Sequence, residues 1–252
     1  MHLLVTRPQP DATELIEGLQ QAGHVVSYFP LLEIKFQAQV KLPKAMPQAV
    51  LVTSANGARA LKNHRQMPGL ADTLAITVGP ASARAARQAG FNNIAQTGRG
   101  DVVGMIAYVR EHLSPTDGPL LYASGAKTSG DLVGELQGSG FDVDRVVLYQ
   151  AEPAASLPQK ICQLVNRGEL DGVLLFSPRT AKIWISLTKD CVSPGELAKV
   201  TYYCLSENVA RIIDQGLGKF CDTTNCDTTN CDTIICKKPD TSGMLQAVGA
   251  VS

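Results

Sequence analysis

Near the C-terminus four cysteines recur every five residues, Cys221, Cys226, Cys231 and Cys236, in the run CDTTNCDTTNCDTIICKKPD. Thiols beside aspartates could hold a soft metal ion. Zinc sites, however, pair cysteines two to four residues apart and then leave a longer gap. A period of five turns successive side chains about 140° apart on a helix and onto alternate faces of a strand, so neither element converges them. Removing two CDTTN units leaves GLGKFCDTIICKKPDTSGML, in which a strand-like TIIC runs into the last segment. The repeat reads as a tandem duplication in a polar loop that tolerates insertion, and no metal site is expected there.

Hydroxyls form the second group that could do chemistry. Thr53 and Ser54 lie in VTSANGARA, Ser82 in VGPASARAA, Ser177 in FSPRTAKI, and Ser206 with Asn208 in CLSENVARI. Each stretch runs from an apolar strand through Ser or Thr into a helix. Such a turn puts hydroxyls and backbone N–H groups at a helix N-terminus, where partial positive charge favours phosphate or carboxylate. Any one of these residues could be an ordinary N-cap worth about 1 kcal/mol. Four such turns point to an anionic ligand at the carboxyl edge of a sheet. No strand is followed by GxGxxG, and GxxxxGK[ST], HExxH and GxSxG are all absent. Hydride transfer and triad hydrolysis are thereby disfavoured.

The elements that must position these groups follow an alternating pattern. HLLVT is a short buried strand, Asp11 opens DATE as the N-cap of a capping box with Glu14, ELIEGLQQAG is helical to Gly23, and HVVSYFPLLEI is the next strand. The unit recurs. LLVTRPQPDATELIEGLQQAGHVV lies over LLYASGAKTSGDLVGELQGSGFDV without a gap, pairing Leu4 with Leu121 and Gly23 with Gly140. AVLVTSANGARAL matches GVLLFSPRTAKIW, setting Ser54 on Ser177, and ITVGPASARAARQAG matches YYCLSENVARIIDQG, setting Ser82 on Asn208 or Ser206. The chain is two related α/β halves with parallel sheets.

Composition sets the class. The 252 residues are 44% apolar and 18% charged, with 23 basic against 23 acidic residues. A soluble globular protein is expected, and the balanced charge argues against a nucleic-acid surface. Neither a signal-like start nor a run of about 18 apolar residues is present. The expected setting is the cytoplasm, with all seven cysteines reduced.

The chain resembles the uroporphyrinogen-III synthase family. The resemblance rests on LLVTRP at 3–8, FPLLEI at 29–34, TSANGARA at 53–60, VGPASARAARQAG at 78–90, VVLYQAEP at 146–153, LLFSPRTA at 174–181, LSENVA at 205–210 and KKPDTSGML at 237–245. It implies two flavodoxin-like α/β domains, one from residues 1–34 with 153–252 and the other from 38–147. Linker strands at 29–37 and 146–152 would join them, with the active site in the cleft between. The implied reaction closes hydroxymethylbilane to uroporphyrinogen III, inverting the last pyrrole ring and losing water, in a monomer without cofactor, membrane or nucleic-acid partner. Tyr149, in the VVLYQAEP segment, is the implied acid. Arg7, Thr53, Ser54, Ser82, Lys127, Ser177, Ser206 and Asn208 are the implied substrate-binding residues, with Lys127 standing where relatives often carry arginines. Three alternatives use the same residues differently: a non-catalytic binder of a small anion, an FMN protein, and a zinc module built on the cysteine run.

Overall fold

The structure is a computed structural model. It describes the chain except for residues 38, 99–100, 129, 223–231 and 251–252, with 218–222 described by backbone alone. The chain forms two compact units, Met1–Glu33 with Glu152–Ser252, and Ile34–Ala151.

In chain order the elements begin with β1 (His2–Val5), α1 (Thr13–Gln21), β2 (Val25–Tyr28) and β3 (Leu32–Phe36). Then come β4 (Ala49–Val52), α2 (Ala55–Lys62), α3 (Met67–Leu70), β5 (Leu74–Thr77), α4 (Pro80–Ala89) and β6 (Ile94–Gln96). Next are α5 (Val102–His112), β7 (Leu120–Gly125), α6 (Leu132–Gln137) and β8 (Val143–Pro153). The remainder is α7 (Gln159–Asn166), β9 (Gly172–Leu175), α8 (Pro178–Thr188), α9 (Pro194–Leu197), β10 (Thr201–Cys204), α10 (Glu207–Asp222), β11 (Thr233–Ile235) and α11 (Thr241–Val248).

In the first unit the sheet order is β2-β1-β9-β10-β11, all parallel. That is the 2-1-3-4-5 order of flavodoxin-like folds. The second sheet reads β8-β7-β4-β5-β6, parallel throughout, with β3 added beside β8. Registers make the two sheets superimposable: Leu3 lies between Val26 and Gly172, as Leu120 lies between Val143 and Ala49. The matched sequence segments thus occupy equivalent strands, but the first sheet takes one segment from the first copy of the repeat and two from the second, and the second sheet takes two from the first copy and one from the second. The second sheet is a circularly permuted version of the first.

Central strands such as AVLV of β4 and GVLL of β9 are buried along their whole length, because helices cover both faces. Alternation sorts their side chains. Val50, Val52, Leu121 and Ala123 face α2 and α4, whereas Leu51, Ile76, Leu120 and Tyr122 face α5 and α6. In the first unit Leu4, Val173 and Tyr202 pack with Trp184 of α8, while Leu3, Val5 and Tyr203 pack with Leu15 of α1 and Met244 of α11.

Several sequence expectations change. Helix α1 starts at Thr13 with Ala12 at its N-cap and no side-chain cap, so Asp11 and Glu14 form no capping box. The first turn is anchored upstream instead, by Thr13 N–H on the Pro10 carbonyl and the Thr13 hydroxyl on Gln9. HVVSYFPLLEI is not one strand: Pro30, which has no N–H, falls between β2 and β3. Finally, Cys162 of α7 and Cys191, beyond α8, form a disulfide, with Cα atoms 5.9 Å apart. Not all cysteines are therefore reduced.

Candidate active site

In the second unit the turn from β4 into α2 meets Tyr149 of β8. Ser54 is the N-cap of α2, extended at φ −152°, ψ 153°, and its Oγ accepts the Gly57 N–H at 3.2 Å. The same Oγ lies 2.7 Å from the hydroxyl of Tyr149. Beside this pair, the Thr53 hydroxyl is 3.0 Å from that of the buried Tyr122. Burial pushes the Tyr149 phenol up from its ordinary value of 10.0; the Ser54 hydrogen bond pulls it down, and Tyr122 adds a smaller upward push. At neutral pH the phenol thus keeps its proton, in hydrogen-bond contact with a hydroxyl that can stabilise the anion once the proton leaves.

Two glycines make this geometry possible. A Cβ on Gly57 would sit 2.6 Å from the Ala123 carbonyl oxygen, so α2 approaches β7 closely only because residue 57 has no side chain. A Cβ on Gly125 would sit 2.7–2.9 Å from the Tyr149 ring and hydroxyl, so the ring lies directly over that residue. No sequence motif marks either glycine or Tyr122. Their importance depends on cross-strand approach, which no local motif records.

The first unit carries the equivalent turn differently. Ser177 caps α8 in a full capping box: its Oγ accepts the Thr180 N–H at 3.1 Å, and the Thr180 Oγ1 accepts the Ser177 N–H at 3.0 Å. Ser206 immediately precedes α10, whose second residue is the exposed Asn208. Arg7 is half-buried, 3.7 Å from Asp11, with its guanidinium 5.3 Å from the Phe176 ring centre. Ser82 lies inside the first turn of α4 and is 5% exposed. By strand register Gly79, not Ser82, is the counterpart of Ser206, and Ser82 is the counterpart of Val209. Lys127 is exposed in the turn after β7.

Of the cysteine run, residues 226 and 231 and the side chain of 221 lie outside the described residues. Cys236 is buried, its thiol 3.7 Å from the Met244 sulfur and pushed up to about 11, chiefly by burial. Cys204 is pushed up to about 12, again chiefly by burial. Such thiols are poor metal ligands because the thiolate is disfavoured. Among the described residues no group of three or more His, Cys, Asp or Glu could hold a metal ion.

Residues 13–219 match the family described as uroporphyrinogen-III synthase HemD. The chain belongs to this family. Among curated proteins it is 27% identical over 223 residues to a porphyrin biosynthesis protein HemD of Ruminiclostridium josui, covering 82% of this chain and 42% of that protein. The chain thus spans less than half the length of that relative. Two solved structures share the fold. A uroporphyrinogen-III synthetase from Helicobacter pylori gives a TM-score of 0.60 at 15% identity over 100% of both chains. A mutant uroporphyrinogen III synthase from Thermus thermophilus gives 0.56 at 15% identity over 99% of this chain and 97% of that one. The Tyr149 and Ser54 hydroxyls meet at the carboxyl edge of the second sheet. No helix among the described residues is long and apolar enough to cross a membrane.

Proposed function

We propose that this chain closes hydroxymethylbilane to uroporphyrinogen III, with Tyr149 as the acid that starts the reaction. The observation that carries this reading is the 2.7 Å contact between the Tyr149 and Ser54 hydroxyls at the carboxyl edge of the second sheet. The Tyr149 O–H bond breaks as its proton passes to the substrate's terminal hydroxyl, and the C–O bond then breaks with release of water. The pyrrole nitrogen lone pair supports the electrophilic azafulvene carbon that remains. That carbon bonds to the substituted position of the last ring, giving a spiro intermediate, which opens and recloses with the ring inverted. A proton lost from carbon at the end restores the phenol. The sum is loss of one water with no change of oxidation state, so the chemistry calls for no redox cofactor.

General acid catalysis of this kind contributes about 10²–10⁴-fold. A phenol whose charged form is disfavoured by burial holds its proton at neutral pH, and the Ser54 hydroxyl limits the penalty when the proton departs. The remaining work is orientation, because the unassisted linear tetrapyrrole closes without inversion. Backbone N–H groups and hydroxyls around Ser54, Ser177, Ser206 and Asn208 suit its carboxylates, with Arg7, Thr53 and Lys127 as further contacts. Ser82 contributes through the first turn of α4 rather than through an exposed hydroxyl. The test is an assay that generates hydroxymethylbilane in situ and separates the two product isomers. Type III product supports the assignment; only the spontaneous type I isomer overturns it.

A further inference from the structure

We propose that Arg145 is a positioning residue for Tyr149, acting through a bulge at the end of β7; the inference rests on the reading of Tyr149 as the acid. Along β7 and β8 the pairing advances one residue at a time from Leu120–Val143 to Ser124–Val147. It then slips: Gly125 pairs with Tyr149, and Leu148 has no partner in the ladder. A bulge re-aims the side chains that follow it. Here the slip lays the Tyr149 ring over Gly125 and brings its hydroxyl to Ser54.

Arg145 spans this slip. From β8 its Nε donates to the Ser124 Oγ at 3.1 Å, and its Nη2 donates to the Gly125 and Ala126 carbonyls, each at 3.1 Å. Ser124, wholly buried, passes the contact on by donating to the Val146 carbonyl at 3.2 Å. The Ala126 N–H in turn donates to the Tyr149 carbonyl at 2.9 Å. One planar guanidinium therefore holds Gly125, over which the ring lies, and Ala126, which bonds the Tyr149 carbonyl, and its fixed fork suits two adjacent carbonyls and a hydroxyl in a way a single ammonium does not. The loop after β7 has Lys127 exposed and no arginine of its own. The guanidinium at this edge comes instead from the neighbouring strand.

The full chain is tested with Arg145→Met, which keeps the length of the side chain and removes its donors, and with Arg145→Lys, each in the native and the Tyr149→Phe background. Arg145→Met is expected to lower kcat about tenfold with KM changed less than about twofold, and Arg145→Lys to recover part of that loss. In the Tyr149→Phe background the same change should alter kcat less than about twofold, because residues acting as a unit are not additive. Hydrogen exchange at the Ala126 amide, read without substrate, should quicken in Arg145→Met. Equal losses of kcat in both backgrounds, or an unchanged Ala126 amide, overturn the proposal. If the native chain forms only the type I isomer, the reading of Tyr149 falls instead, and the exchange measurement still decides whether Arg145 holds the bulge.

Discussion

Ser54 and Ser177 stand at the same place in two sheets of the same strand order, yet their hydroxyls are engaged differently. In the first unit Thr180, at the third position of α8, closes a reciprocal capping box on Ser177. In the second unit the third position of α2 is Gly57, which offers only its N–H, and Ser54 is left able to meet Tyr149. The residue equivalent to Arg145 by register is Tyr28, and the pairing of β1 with β2 ends there, so the first sheet has no counterpart of Tyr149 beside its cap. The two edges thus differ by a few side chains: one sets Ser54 against Tyr149, and the other closes a cap on Ser177. On the proposed reading, proton chemistry falls to the second unit, and the first supplies N-termini suited to carboxylates.

The largest effect that would break this contrast is Tyr149→Phe. Turnover to type III product should fall by about 10²-fold or more, with thermal stability nearly unchanged. Unchanged turnover would remove Tyr149 from the chemistry. Next is Gly57→Ala: its Cβ would meet the Ala123 carbonyl, so the melting temperature should drop as overpacking costs about 1–3 kcal/mol. A variant as stable as the native chain would show that α2 has room to move.

The pH dependence sharpens the comparison further. The folded-state Tyr149 phenol titrates above its ordinary 10.0, so folding favours the neutral form. That contribution to stability is present below the unfolded value and is lost as pH rises through the folded one. The basic limb of the rate profile should accordingly lie above 10.0, and Ser54→Ala should move it higher, because the Ser54 bond lowers the phenol. A limb that Ser54→Ala moves down would contradict the proposed pairing.

Much of this architecture is legible in the sequence for a physical reason. Buried parallel strands are short continuous apolar runs, and a strand that ends in Ser before a helix announces its N-cap locally. The repeat is visible too: Gly23 and Gly140, paired in the gapless match, both adopt positive φ, at 81° and 88°. Features set across strands were not legible. The slip at Ser124–Gly125, the reach of Arg145 to β7, and the ring over Gly125 join residues about twenty positions apart whose partners only the register decides. The Cys162–Cys191 bond likewise joins residues 29 apart that helix packing brings together. A one-residue gap separates Asn208, the sequence match of Ser82, from its register counterpart Val209, and an upstream carbonyl and glutamine take over the first turn beside Asp11. Only family resemblance, and no local pattern, points to Tyr149.

The most direct measurement of the contrast is kcat for type III formation by Ser54→Ala and Ser177→Ala, compared side by side. Each loses a helix cap and should lose about 1 kcal/mol of stability. Ser54→Ala should also lower kcat about tenfold, and Ser177→Ala by less than about twofold. Equal effects on kcat would contradict the claim that one edge alone supports the proton transfer.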